Sequence, residues 1–443
     1  MPQFEVLPSY YHRKPPLNYR AYTLHNLNEI PQMNLLTDDQ KFAVSVVGQV
    51  LPFKTNNYVV ENLIDWENIP DDPMFLLNFP NKGMLKSHHF NQMADLIKNQ
   101  AEPAVIRDTA HKIRMELNPQ PDGQLEHNRP FFKGKRIRGL QHKYRETVLF
   151  FPSQGQTCHA YCTFCFRWPQ LLGINKLRFV MRGTNLLQQY LSVHPEVTDL
   201  LITGGDPLIM KGEILVKYLN SILEGNLDHI KNIRIGTKSL SYWPYRFLTD
   251  EDTDLILSTF RKVIRSGRHL AFMAHINHPR ELQTDATIEA IHRLRQIGLE
   301  IRCQSPLLAH INDDPDVCSE MWEEQVRLGC IPYYMFLARD TGAQHYFGVP
   351  LHRAWQIFRQ AYQKISGLAR TVRGPVMSSD PGKIQILGVT NIRGQKVFAL
   401  RFLQARRTEW VGKPFFARFT EKALWLEDLR PAFGNRQFFF QSA

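Results

Sequence analysis

Cysteine is scarce in this chain: six in 443 residues, three of them bunched together, which is no disulfide framework. No uncharged apolar run reaches the length of a membrane span. The opening MPQFEVLPSYYHRKPP lacks the apolar core of a signal peptide. Neither an internal repeat nor a low-complexity tract is present. These absences fit a protein of the reducing cytoplasm that does not enter a membrane. Acidic residues also run short, 42 against 54 Lys and Arg, giving a formal net charge of +12. That excess keeps a nucleic-acid role on the table.

Its best footprint is the stretch Lys133, Lys135, Arg136, Arg138, His142, Lys143 and Arg145, with a second basic run at 401–407. Basic runs are more often solvated faces, and no RNA-binding motif accompanies these. Hydrophobic residues at 43% and charged residues at 22% describe instead a chain able to bury a large core.

Three cysteines share one loop, Cys158-His-Ala-Tyr-Cys162-Thr-Phe-Cys165. Three thiolates can hold three irons of a [4Fe–4S] cube and leave the fourth iron open for chemistry. A three-ligand zinc site and unrelated thiols are the competing readings. Cys303, Cys318 and Cys330 are dispersed and expected to be buried.

From residue 147 onward, β-branched and aromatic runs alternate with amphipathic helical patterns. The strands expected are 147–151, 199–203, 233–237, 270–275, 300–304 and 331–337, with helices at 184–193, 213–223, 250–266, 285–297 and 317–328. Six βα units predict an α/β fold with a partial (β/α)6 barrel over 147–368, its chemistry at the carboxyl ends of the strands. Residues 1–33 are expected to wrap the surface. Residues 34–146 read as mostly helical, broken at 69–73 and 118–123. Residues 369–443 form a small β-rich extension with strands near 384–389, 396–401 and 410–419, ending in Phe438, Phe439 and Phe440.

Two further motifs fall at expected strand ends. Gly204-Gly205-Asp206-Pro207 lets backbone approach a ligand closely and offers a carboxylate to an ammonium, though it also suits an ordinary turn. His275-Ile-Asn277-His278-Pro279-Arg280-Glu281 invites a weak metal reading. Gln304-Ser305 ends the fifth strand on a polar pair.

The C-x3-C-x2-C spacing with Phe164 before the last cysteine resembles the signature of radical S-adenosylmethionine (SAM) enzymes. Over roughly residues 50–390 the chain resembles the lysine 2,3-aminomutase family within them. The likeness rests on Leu63-Ile-Asp-Trp66, Gly139-Leu-Gln-His142-Lys-Tyr144, Cys165-Phe-Arg167, the Gly204-Gly-Asp turn, Arg234-Ile-Gly236, His275-Ile-Asn-His-Pro279 and Gln304-Ser305. The resemblance implies a radical SAM barrel with a [4Fe–4S] cluster on Cys158, Cys162 and Cys165. SAM would lie against Phe164, Gly204, Gly205, Asp206, His275 and Gln304, and Arg167 would take a substrate carboxylate. A low-potential electron donor and a homo-oligomer are also implied.

The family's other cofactor, pyridoxal phosphate (PLP), fits less well. Arg373 stands where the family keeps its Schiff-base lysine, and a guanidinium cannot form that bond. No lysine lies between Lys364 and Lys383. The positions of two phosphate-binding arginines carry Lys143 and Thr147, and Ala338 and Ser366-Gly367 stand where aspartates grip the distal ammonium of lysine. The expectation is therefore a radical SAM enzyme that abstracts hydrogen from a carboxylate-bearing small molecule without PLP. The alternatives are a PLP-dependent aminomutase acting on another amino acid through Lys383, and a basic iron–sulfur protein that binds nucleic acid.

Overall fold

In a computed structural model describing residues 17–118, 128–172 and 179–441, the alternating runs form a single large sheet with helices outside it. Residues 1–16 of the expected wrapping segment, and the 118–123 break from residue 119 on, lie outside the described residues. Eleven strands stand in sequence order. They are β1 (Leu140–Tyr144), β2 (Thr147–Phe150), β3 (Asp199–Ile202), β4 (Asn232–Thr237), β5 (His269–His275) and β6 (Glu300–Leu307). β7 (Ile331–Leu337), β8 (Arg373–Ser378), β9 (Gly382–Ile392), β10 (Gln395–Ala405) and β11 (Pro414–Arg418) complete the sheet. Strands β2 to β8 run parallel, each to the next. β1 flanks them antiparallel on one side and β9 to β11 on the other.

Parallel neighbours need crossovers, and the helices Asn185–Ser192, Gly212–Glu224, Thr253–Arg265, Asp285–Gln296, Pro315–Arg327 and Leu351–Lys364 supply them. Their apolar stripes close on the sheet's outer face: Thr253–Arg265 buries Ile256, Leu257, Phe260 and Val263. The last of these helices and the seventh parallel strand, β8, lie beyond the six units read from the sequence. Gly374-Pro375 inside β8 disguised it, because both residues are poor strand formers.

A parallel sheet covered on both faces is apolar throughout. Here β3, β4 and β6 alternate instead. Leu200, Ile202, Ile233, Ile235, Ile301 and Cys303 are buried under the helices, while Asp199, Arg234, Glu300, Arg302 and Gln304 on the other face stay half-buried. The sheet thus presents an apolar face to the helices and a polar face opposite them. No ladder among the described residues closes it. Lys143 on β1 donates to the Ser379 carbonyl, and Arg406 after β10 reaches the Asn128 side chain at 2.6 Å, so side chains bridge the two flanks.

A second core belongs to the N-terminal region, where Val46, Val47, Leu77, Met93 and Ile113 pack together. It continues into Ala160 and Trp168 of the cysteine loop and into Trp243, Leu308 and Phe347, which follow strands or lie beyond them. The helical region therefore caps the carboxyl ends of the strands. Phe438 and Phe440 pack far along the chain's end, against Phe402 on β10 and Phe415 on β11. No helix among the described residues is long and apolar enough to cross a membrane. The basic stretch does not form one face: Lys133, Lys135 and Arg136 are exposed on a small hairpin, His142 bonds the Tyr190 hydroxyl, and Lys143 turns inward.

Candidate active site at the carboxyl ends of the strands

The cysteine loop is held by backbone contacts with residues about a hundred positions earlier. Tyr161 N–H donates to the Lys54 carbonyl at 2.7 Å and Thr163 N–H to the Leu77 carbonyl at 3.0 Å. Lys54 Nζ donates to the Cys158 carbonyl at 2.8 Å. The His159 carbonyl receives both the Tyr19 hydroxyl, at 2.7 Å, and Asn56 Nδ2, at 3.2 Å. Each of these bonds lands on the loop's main chain, and the side chains of Thr163 and His159 add bonds to the Leu76 carbonyl, at 2.6 Å, and to Ser239 Oγ, at 3.1 Å.

All three loop cysteines are free thiols of intermediate exposure, whereas Cys303, Cys318 and Cys330 are buried. Among the described residues, the ligand atoms of His88, His89 and Glu116 form the one trio gathered within 4.8 Å. The three sulfurs are therefore spread wider than one zinc ion at Zn–S bonds of about 2.3 Å would hold them. A multi-iron cluster suits that spread. Burial raises the proton affinity of each thiol, that of Cys162 to about 12, with Lys238 opposing it. The N–H of Arg167 bonds the Cys165 sulfur and pulls the other way.

The Gly204-Gly205-Asp206 turn is sewn to the segment ahead of Cys158. Gly205 N–H donates to the Gly155 carbonyl at 2.9 Å and Asp206 N–H to the Thr157 carbonyl at 2.8 Å. A Cβ on Gly205 would stand 2.5 Å from the Thr157 oxygen, so the approach requires glycine. The Asp206 carboxylate is buried and accepts from Leu208 N–H, Thr237 Oγ1, Lys238 N–H and Ser239 Oγ, all within 3.0 Å. Burial raises its proton affinity, and these bonds oppose the shift. Its oxygens are thus engaged in tying the end of β4 to the glycine turn.

Register then brings four residues into one row across the sheet: His275 on β5 faces Gln304 on β6, which faces Tyr334 on β7, which faces Arg373 on β8. Paired residues share a face of the sheet, so His275 and Gln304 lie on one tier with Arg373. The Phe164 ring sits 5.6 Å from the His275 ring, joining the cysteine loop to that tier. Burial, aided by the Lys238 charge, keeps His275 neutral.

Sequence reasoning missed the support beneath this tier. Lys238 Nζ pairs with the fully buried Glu281 and donates to the His275 carbonyl at 3.1 Å and Asn277 Oδ1 at 3.0 Å. It also lies 4.4 Å from the Tyr242 ring centre, and the Tyr242 hydroxyl is 3.8 Å from the Cys162 sulfur. Glu281 is consumed here and His278 caps its own turn, so the loop does not gather a metal trio. The available signal was a lysine one step past a strand end.

Cations line the interior, and aromatic faces hold them. Arg167 stands 4.7 Å from the Phe151 ring centre and 5.1 Å from that of Phe166. Arg339, just past β7, is 5.1 Å from the same Phe166 ring. Arg373 lies 4.4 Å from the Tyr334 ring, and Lys383 Nζ 4.8 Å from that ring too. Lys143 contacts Tyr144 at 5.4 Å. Burial lowers the proton affinity of Lys143 and of Lys383 to about 7 and that of Arg167 to about 10. Ala338, Ser366 and Gly367 offer no carboxylate.

Against known proteins, the chain is 30% identical over 402 residues to an Aquifex aeolicus protein provisionally named L-lysine 2,3-aminomutase, covering 91% of this chain and 92% of that one. It is 31% identical over 245 residues to the L-lysine 2,3-aminomutase of Escherichia coli, 54% of this chain and 67% of the relative. Glutamate 2,3-aminomutase of Clostridioides difficile is 27% identical over 214 residues, 48% of this chain and 47% of the relative. The solved structure of Streptococcus suis SuiB bound to S-adenosylmethionine aligns at a TM-score of 0.36 and 12% identity, over 62% of this chain and 57% of that one. No family model matches the chain.

Proposed function

The chain belongs to the lysine 2,3-aminomutase-like family of radical SAM enzymes, and from that premise we propose that it abstracts hydrogen from a carboxylate-bearing small molecule. The observation that carries this reading is the trio of half-exposed, disulfide-free cysteines on a loop whose main chain is anchored to the N-terminal region, beside the His275–Gln304 tier. Cys158, Cys162 and Cys165 would hold the [4Fe–4S] cluster. In this reading the curled parallel strands are a partial barrel, and its polar interior is the ligand chamber. When bound, the cluster and SAM supply a 5′-deoxyadenosyl radical, given one electron from a low-potential donor.

The chain's own residues have separable tasks. Phe164 and His275 wall the side of the cysteine loop, and Gln304 offers an amide one strand away. Gly204 and Gly205 let the turn approach the loop, and Asp206 acts by fixing that turn rather than by offering a free carboxylate. Arg167 presents a guanidinium fork to the substrate carboxylate. Anaerobic turnover with SAM and a reductant should release 5′-deoxyadenosine far above the level of a Cys162→Ala variant. Equal release from the two proteins would sink the reading.

One observation favours a second reading, a PLP-dependent aminomutase. Lys383 Nζ and the Arg373 guanidinium lie against the same Tyr334 ring, so a buried amine stands beside the position at which the family's lysine is expected. An amine whose proton affinity is lowered to about 7 is a competent nucleophile near neutral pH. Borohydride reduction after incubation with PLP should then leave a pyridoxyl adduct on Lys383 by peptide mass. No adduct would remove this reading.

A further inference from the structure

Most guanidinium groups set within the fold are partnered, Arg373 on its tyrosine faces aside. Arg246 pairs with Asp252 and donates to the Leu208 and Met210 carbonyls. Arg234 pairs with Asp199 at 2.7 Å, Arg280 pairs with Asp72, and Arg114 donates to two carbonyls of the N-terminal region. Arg339 breaks this rule. Its Nε is buried without a hydrogen-bond partner, and no carboxylate of the described residues lies within ion-pairing distance. It lies over the Phe166 ring, which it shares with Arg167, and Arg167 too has no ion pair among the described residues; Asp340, Glu427 and Asp380 act on Arg339 only from beyond pairing distance.

An aromatic face offsets only part of the cost of burying a cation. A buried charge left without a counter-ion is a costly arrangement unless the counter-ion is a ligand. Each residue as a whole is only half-buried, so the site is open at one side although Arg339 Nε is enclosed. They stand beside the cysteine loop, with Arg167 two residues from Cys165 and Arg339 at the carboxyl end of β7. Burial lowers the proton affinity of Arg339, a penalty that an incoming anion would remove.

We infer that the substrate carries two carboxylates, one gripped by Arg167 and the other by Arg339, with Phe166 as the floor between them. This inference rests on the proposed hydrogen-abstracting site and names the class of molecule it takes: a small dicarboxylate, such as an acidic amino acid, in place of a diamino acid. Arg339 is then the specificity-determining residue. Ala338 beside it offers no carboxylate, and Asp340 on its other side supports the Arg339 charge without closing an ion pair.

The test uses the reconstituted full-length protein and calorimetric titration with L-glutamate, L-aspartate, L-lysine and inorganic phosphate. Either dicarboxylate should bind at least tenfold more tightly than lysine. Arg339→Gln should weaken that binding by about 10- to 100-fold, the loss expected for a charge-assisted pair. Arg339→Lys should recover part of it, and this conservative variant keeps the test valid if the glutamine variant folds poorly. Arg339→Asp should turn the preference toward lysine. Dicarboxylates binding no better than lysine, or unchanged binding in Arg339→Gln, would overturn the inference. Phosphate that displaces the dicarboxylate and loses its own affinity in Arg339→Gln would assign Arg339 to a phosphate and overturn it as well. Release of 5′-deoxyadenosine from the same samples separates the two claims. A protein that releases it without preferring dicarboxylates defeats the inference alone, and one that binds dicarboxylates without releasing it defeats the radical reading alone.

Discussion

Replacing Lys238 with methionine should cost more than any loss of surface charge. The Lys238 ammonium has three oxygen partners, Glu281, Asn277 Oδ1 at 3.0 Å and the His275 carbonyl at 3.1 Å, and rests on the Tyr242 ring. Glu281 is fully buried, and beyond Lys238 it accepts only the Asn277 and His278 N–H groups, at 2.7 and 3.1 Å. Lys238→Met leaves that carboxylate buried with no cation, a loss of about 3–5 kcal/mol for such pairs. Against a total stability of about 5–15 kcal/mol this is large. Glu281→Gln strands the ammonium and should cost a similar amount. The double variant keeps an amide oxygen for the two N–H groups and removes both charges. Its loss should fall short of the sum by about 2–3 kcal/mol, the coupling expected of contacting charges. Urea unfolding of the iron-free protein under reducing conditions measures all four corners of the cycle. Because Tyr242 reaches Cys162, iron retained per chain should drop with Lys238→Met even where the fold survives. Additive losses, or a Lys238→Met cost below about 1 kcal/mol, would refute the reasoning, since both contradict an uncompensated buried charge.

Gly205→Ala drives a methyl to 2.5 Å from the Thr157 oxygen and 2.7 Å from its nitrogen, so the cysteine loop must shift. Overpacking of this kind costs about 1–3 kcal/mol, and iron content after reconstitution should fall while far-UV circular dichroism stays native; full loading would refute the packing argument. Lys383→Met carries a pH signature. The unfolded chain keeps this proton to about pH 10.5 while the folded protein releases it near 7, so the wild type gains stability as pH rises between those values. Methionine removes the penalty and should stabilise the protein by up to about 5 kcal/mol at pH 6, at 1.36 kcal/mol per pH unit. The advantage should shrink steadily toward pH 10, and a difference between the two proteins that is flat with pH would count against it.

The βα alternation was legible because each parallel strand has an apolar outer face and each crossover helix an apolar stripe, periodicities of two and 3.6 that survive in the sequence. The cysteine loop was legible because cluster ligation needs a fixed residue type at a fixed spacing. Strand β8 escaped because Gly374 and Pro375 speak against a strand, and only its neighbours decide otherwise. Asp206 reads as an available carboxylate until the hydroxyls of Thr237 and Ser239, some thirty residues on, are seen to occupy it. The Lys238–Glu281 pair and the isolation of Arg339 share this character. Each depends on what lies across the fold, and pairing between distant side chains leaves no period to read.

The seam that joins the flanks of the sheet sets an order on how the chain acquires its shape. Strands β2 to β8 each pair with the strand made just before, so they can zip up as the chain lengthens, with modest loops to close. The seam contacts span 236 and 278 positions, Lys143 to Ser379 and Asn128 to Arg406. On a ribosome, β1 therefore waits for nearly the whole polypeptide before its far partner exists. The loop-closure term grows only slowly with length, so the delay is one of timing more than of energy. During that interval the charged inner face stays open to water, which suits arginines and lysines better than an apolar lining that would invite aggregation. The same polarity that would receive a ligand in the proposed reading keeps the half-made chain soluble.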